Sequence, residues 1–374
     1  MNIDKKQIVA PHVCMLLYLV FLFLLSALTF LRPAYNFDTL PYMGLVAEHS
    51  LKTDEDIHRA VFENLKAPPE KFRELTASEP FRVAVYENPE IFREQLPWYR
   101  CRYLYTAISV FLHGLGLSLF ASVQLISSLS FFAVGLLLWH WLRRYTPGLI
   151  ALAIAAATQI SLFPVGRQAT PDMLYALFAL GAFFLLIEKR RPHLALGLLL
   201  ASLTVRNDGV TLVLAVLAYV VFIAPGPMRL RFQWAMLYGG AAVAIAFVLA
   251  RVSGHYGWVT LMNEEFYGLI NRPAHFSGML SLRSYVRIVF NGLISMPSSA
   301  VYLFGILYLV ACYITSRFRK VPARLYYGLA ACLLLATAAR YLIFPVVFDR
   351  NFVTISVMFL VLAVRVSSAQ GDSP

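Results

Sequence analysis

The feature that most constrains this chain is a series of unbroken apolar runs, the first from Pro11 to Leu31, divided by short breaks of Arg, Lys, Pro and Gly. A hydrocarbon core of about 30 Å is crossed by roughly 20 apolar residues in a helix. In lipid every backbone N–H and C=O must find its partner within the segment, so such runs fold as helices. An all-α polytopic membrane protein is therefore expected. The composition agrees: of 374 residues, 59% are hydrophobic and only 14% charged. The formal charge of +12 is spread in pairs and triplets between the runs. A nucleic-acid partner would need that charge gathered on a soluble face, so none is expected, and the pattern reads as a topology signal instead.

The first run follows Lys5 and Lys6, has no small-x-small cleavage site before Arg32-Pro33 and is long enough to span. It reads as an uncleaved helix leaving the cytoplasm. Residues 32–102 then form the one long polar segment, with twelve acidic and ten basic side chains but too many Phe, Tyr and Leu for disorder. It is expected to be a folded external loop, with amphipathic helices near Ile57 to Leu65 and Lys71 to Leu75. The stretch from Tyr103 to Leu117 reads as a half-inserted helix. Further spans are expected at 118–142, 148–164, 173–187, 194–205, 210–224, 233–250, 298–315, 325–344 and 352–364. That makes about ten transmembrane helices (range 9–12) in a single membrane domain over 1–374, with a second external excursion at 251–297.

Alternating these spans from a cytoplasmic N-terminus sorts the charges. Lys5/Lys6, Arg143/Arg144, Lys189/Arg190/Arg191, Arg229/Arg231 and Arg317/Arg319/Lys320/Arg324 fall inside, while Asp38, Asp172, Asp208, Glu264, Glu265 and Asp349 fall outside. The sorting is independent of the apolar runs that define the spans, so it supports the topology, with both termini expected in the cytoplasm. Cys14, Cys312 and Cys332 lie in apolar runs and Cys101 stands alone, so no disulfide framework is implied. No metal-ligand spacing, phosphate-binding glycine loop or nucleophile elbow is present, and no cofactor is expected. His12 and His140 sit near cytoplasmic span ends and read as structural.

Chemistry on the external side starts with Asp38, in Asn36-Phe37-Asp38-Thr39-Leu40-Pro41-Tyr42, seven residues after the first run ends. Taken alone it is a helix N-cap or a loop aspartate, because Pro41 suits a first helical turn. The functional reading is a general base held at the membrane surface. Glu48 and His49 read as solvated residues of the same helix. Asp172 opens a span after Thr170-Pro171, as a cap or as a second acidic group facing the same cavity, with Arg167 beside it. Arg206, in Arg206-Asn207-Asp208-Gly209, Arg340 and Arg350 place further guanidiniums on short external connections. Each alone is a snorkelling or salt-bridged arginine. As a group on the face that topology should deplete of cations, they read as ligands for a phosphate.

In order along the chain, Asp38 with Tyr42, the lead Trp98-Tyr99-Arg100-Cys101-Arg102-Tyr103-Leu104-Tyr105, Thr170-Pro171-Asp172, Val205 to Gly209 and Asp349-Arg350-Asn351-Phe352 resemble the GT-C superfamily of integral-membrane glycosyltransferases. The likeness is to bacterial relatives of protein mannosyltransferases and lipid A aminoarabinose transferases. This chain differs in having one aspartate where some members have an acidic pair. The resemblance implies a GT-C-like bundle in the plasma (bacterial inner) membrane that moves a sugar from a polyprenyl-phosphate donor to a glycan, lipid or protein acceptor on the external, periplasmic face. It also implies Asp38 as catalytic base, Asp172 as the second acidic residue, and Arg206, Arg340, Arg350 and Arg167 as candidates for the donor phosphate. An O-antigen-type polymerase or ligase would also use external arginines. A lipid-linked glycan transporter or flippase should instead carry charges at mid-span, where this chain has none.

Overall fold

The computed structural model describes residues 11–268, 270–295, 323–346 and 348–368. The span expected at 298–315, and Lys5, Lys6, Cys312, Arg317, Arg319, Lys320 and Asp372, lie outside them. All regular secondary structure of the described residues is helical, with no strand. In chain order the helices are α1 (Pro11–Leu31), α2 (Thr39–Ala47), α3 (Asp54–Asn64), α4 (Pro69–Ala77), α5 (Pro80–Glu87), α6 (Pro89–Gln95), α7 (Pro97–Arg100), α8 (Tyr103–Gly114), α9 (Leu119–Leu142), α10 (Gly148–Gly166), α11 (Asp172–Ile187), α12 (Pro192–Leu203), α13 (Val210–Ala218), α14 (Phe232–Val252), α15 (Trp258–Tyr267), α16 (Leu282–Ser295), α17 (Ala323–Ile343) and α18 (Val353–Ser368). Five described stretches, His12–Leu31, Leu119–Leu142, Gly148–Gly166, Phe232–Val252 and Tyr326–Ile343, are long and apolar enough to cross a membrane. The chain thus has the character of a membrane protein.

Helix α9 is the post around which the first half packs, with α1, α10 and α11 against it and α8 and α2 at its N-terminal end. The second half joins α12, α13, α14, α17 and α18 to that core. Polar side chains tie the apolar helices where water is absent. Tyr18 donates to the Gly135 carbonyl at 3.0 Å, and Gln124 Nε2 to the carbonyls of Thr29 at 2.9 Å and Gly166 at 3.3 Å. Ser127 donates to the Thr170 carbonyl at 2.8 Å, which fixes the turn leading to Asp172.

The loop at 32–102 folds into six helices, α2 to α7, more than the two amphipathic pieces and the one helix after Asp38 that are expected. Four of them, α4 to α7, begin on a proline, whose missing N–H costs nothing in a first turn. Thr53 caps α3 by accepting from Asp56 N–H, and Asn88 caps α6 by accepting from Glu90 and Ile91 N–H. Their apolar sides, led by Leu40, Met43, Ile57, Phe92 and Leu96, bury a second core against α8 and the start of α9. Each such side chain contributes about 1.5–3 kcal/mol, so the loop is a fixed platform carrying Asp38. The excursion at 251–297 contains α15 and α16. It is strapped to this platform by Tyr256 Oη on the Glu94 carbonyl at 2.9 Å, Gln95 Nε2 on the Asn271 carbonyl at 3.2 Å, and Arg272 on Glu90 at 2.9 Å.

Candidate functional site

Where the platform meets the ends of α11, α17 and α18, the fold leaves a cavity of about 610 Å³. Asp38 lines it. The residue stands at the N-cap of α2, but its side chain makes no capping hydrogen bond. Asn36 does that work, accepting from Thr39 N–H at 3.2 Å and from Thr39 Oγ1 at 2.7 Å. The Asp38 carboxylate is thereby free to face inward, where it accepts from Tyr99 Oη at 2.8 Å and from Arg350. Burial disfavours its charged form, but the Arg350 guanidinium, with hydrogen bonds from Arg350 and Tyr99, outweighs burial and holds the carboxyl below the usual carboxylate range. Tyr99 is itself wedged edge-on against Tyr42, ring centroids 5.1 Å apart.

A second group of charges shares the cavity. Arg206, from the turn between α12 and α13, grips Asp208 through two parallel bonds of 3.0 and 2.7 Å and also pairs with Asp172 at the first position of α11. Arg340, near the end of α17, donates to Asp208 at 3.1 Å. Asn351 joins this group to Asp38: its Oδ1 accepts from Arg206 at 3.1 Å, while its neighbour Arg350 holds Asp38. Asp38, Asp172, Arg206, Arg340 and Arg350, singled out on the sequence, therefore line one space although they come from five separate stretches. Asp172 serves as no cap, since Pro171 holds the N-cap position and the Asp172 carboxylate is turned to Arg206.

Arg167 is not among the residues lining the cavity. Its Nε donates to the Arg32 carbonyl at 2.5 Å and its guanidinium lies over Phe163, so it staples the end of α10 to the chain leaving α1. Glu48, read as solvated, instead caps the end of α2 and binds Arg100 at 2.8 Å and Arg93 at 3.3 Å. His49 lies beyond the end of α2, not within it.

Sequence reasoning missed several lining residues. In the sequence Arg102 is marked only as part of a basic, aromatic lead. Its Nη1 donates to the Trp98 carbonyl and its guanidinium lies 5.3 Å from the Tyr99 ring centre. Among the described side chains no carboxylate pairs with it. Helical spacing in Trp98-Tyr99-Arg100-Cys101-Arg102 was the available signal, since positions three and four apart share a face and Arg100 is thereby turned to Glu48. Arg340 likewise has a spare donor: it is 9% exposed, and its Nη1 has no hydrogen-bond partner. Glu264 and Glu265 of α15 also line the cavity. Burial first, and then Glu265, push the Glu264 carboxyl up to about 8. The apolar part of the wall includes Ala250, Leu261, Ile343, Phe344 and Phe348.

The arrangement offers an ionised carboxylate able to accept a proton, and two guanidiniums with donors left for an anion. Among the described residues no group of three His, Cys, Asp or Glu is placed to hold a metal ion. Set against family models, curated proteins and solved structures, the chain finds no match.

Proposed function

We propose that the protein is a GT-C-type membrane glycosyltransferase, moving one sugar from a polyprenyl-phosphate-linked donor to an acceptor hydroxyl or amine with inversion. On this reading about ten spans set the cavity at the external face of the plasma membrane, with both termini in the cytoplasm. One observation carries it: a carboxylate kept ionised shares a cavity with guanidinium donors that no described carboxylate satisfies. A phosphate leaving group and a nucleophile that must lose a proton need those two features side by side.

The acceptor oxygen or nitrogen forms a bond to the anomeric carbon as the bond from that carbon to the phosphate oxygen breaks. The acceptor proton passes to Asp38, and the electron pair leaves with the lipid phosphate. A carboxylate held below its usual range is a weak base, so its proton transfer comes late, once the forming bond has made the acceptor acidic. Arg102 and Arg340 receive the phosphate charge. Arg206 is already committed to Asp172 and Asp208, and Arg350 to Asp38, so these two hold the carboxylates in place. The apolar wall at Ile343, Phe344 and Leu261 suits the first units of a prenyl chain.

The test is a transfer assay of the purified protein with a panel of polyprenyl-phosphate sugars, run beside Asp38→Asn. Asn keeps the shape and the Tyr99 contact but accepts no proton. The expected result is normal membrane insertion with transfer reduced at least about 100-fold. An Asp38→Asn protein as active as wild type overturns the reading.

A further inference from the structure

The cavity also has a part that the charged groups do not explain. Trp98 lines it, is 5% exposed, and its indole N–H has no hydrogen-bond partner. Glu264 lines it too, and its Oε2 is buried without a partner. An unmatched donor and an unmatched carboxyl oxygen in one cavity are two buried polar groups of opposite need, which native structures seldom leave so. His255 packs edge-on against Trp98, ring centroids 4.7 Å apart, and its Nδ1 is already taken by Gly257 N–H at 3.0 Å. Gly257, with φ +94°, turns the chain from this histidine into α15, which carries Glu264.

Resting on the sugar-transfer reading, we infer that Trp98, His255 and Glu264 form a second subsite that binds the hydroxyl-bearing ring of the transferred sugar, apart from the arginines that take its phosphate. A hydroxyl is donor and acceptor at once. Hydroxyls around the ring accept from the indole N–H and donate to, or accept from, the Glu264 carboxyl. The groups of this subsite are neutral near pH 7: burial, and to a lesser degree Arg102, hold His255 down at about 4, while Glu264 keeps its proton. A neutral subsite suits an uncharged polyol and offers nothing to attract a second anion. The ring of Trp98 adds an apolar face of the kind on which the C–H side of a sugar packs.

The test measures binding of two synthetic probes, a polyprenyl phosphate bearing a hexose and the same lipid phosphate without sugar, to the full chain in nanodiscs. Trp98→Phe removes the donor and keeps the ring. Glu264→Ala removes the carboxyl, and Glu264→Gln keeps a neutral hydrogen-bonding group. Trp98→Phe and Glu264→Ala are expected to weaken the sugar-bearing lipid about tenfold and to leave the sugarless lipid within about twofold, with Glu264→Gln close to wild type. Variants that weaken both probes equally, or neither, overturn the subsite while leaving the transfer reading standing. Wild-type protein that binds neither probe overturns the transfer reading and the subsite with it.

Discussion

Arg206 holds two carboxylates at once, and this decides what the neighbouring arginines can do. With Asp172 3% exposed and Arg206 13% exposed, the pair is a buried ion pair whose desolvation is offset only while every partner is present; loss of one leaves an uncompensated charge costing about 3–5 kcal/mol. Asp208 is drawn from the other side by Arg340, which keeps one N–H in reserve. Glu264 is the opposite case, a carboxyl with no cation beside it among the described residues, and it gives a pH signature. In the folded chain it keeps its proton up to about 8, where an ordinary glutamate loses it near 4.5. The folded state therefore binds more proton between those values, and this contribution to stability is lost as the pH rises through them. The Tm of the wild type in detergent is expected to fall between pH 4.5 and 8 relative to that of Glu264→Gln; parallel curves would refute the burial of this group. On the sequence, Asp38, Asp172, Arg206, Arg340 and Arg350 stood out because topology had emptied their surroundings of competing charge. Arg102 and Glu264 did not. Arg102 ends a segment dense in both signs, and only the fold separates it from the carboxylates that its neighbours Arg93 and Arg100 take up.

Among the elements, the short helices of the first loop matter most, because α2 carries Asp38 and has no membrane-length core of its own. Their start points are legible as a repeated proline, at Pro69, Pro80, Pro89 and Pro97, yet their number is not, since only α3 and α4 are long enough to show an amphipathic period and α5 to α7 are shorter. The bundle helices were legible for the converse reason: an apolar run of membrane length has few other folds open to it. What the sequence left hidden was the strapping of 251–297 across the platform, because its partners, such as Glu94 with Arg272 and Tyr256, lie more than 150 residues apart. The position of α2 rests on close approach at Gly44. A Cβ there would stand 2.9 Å from both Leu96 Cδ2 and Phe92 Cζ, two fully buried side chains, whereas one at Gly114 would meet nothing within 4 Å. Gly44→Ala is expected to lower stability by about 1–3 kcal/mol through overpacking and to reduce transfer by shifting Asp38. Gly114→Ala serves as the control in a helix of the same chain. Equal Tm values for the two variants would show that α2 is not packed against α6 and α7 as described.

At the scale of the molecule, the two ends of the bundle are built from different charge patterns. Helices α11 and α18 both start at the cavity, with Asp172 on one and Arg350 and Asn351 just before the other, and both finish at Glu188. There Glu188, 7% exposed, accepts from Trp141 at 2.8 Å, Tyr145 at 2.5 Å and Arg365 at 2.6 Å, with Arg144 at 3.9 Å and Lys189 and Arg190 following it in the chain. Sixteen helical residues separate these ends by about 24 Å, somewhat short of a hydrocarbon core of about 30 Å. A cavity where carboxylates and guanidiniums nearly balance at one end, and a basic rim around one buried glutamate at the other, is an asymmetry of the kind that the transfer reading's orientation requires. The orientation has a direct test. Cys14, Cys101 and Cys332 are buried, so the test uses a chain with all four native cysteines replaced and a single reporter at the exposed position Lys52 or Lys189. A membrane-impermeant maleimide is expected to label Lys52→Cys in intact spheroplasts and Lys189→Cys only in inverted vesicles. Labelling of both from the same side would place the cavity and the Glu188 cluster on one face, which an alternating bundle with α11 and α18 as spans cannot satisfy. The donor lipid would then have no route to Asp38 from the bilayer leaflet that the transfer reading assigns it.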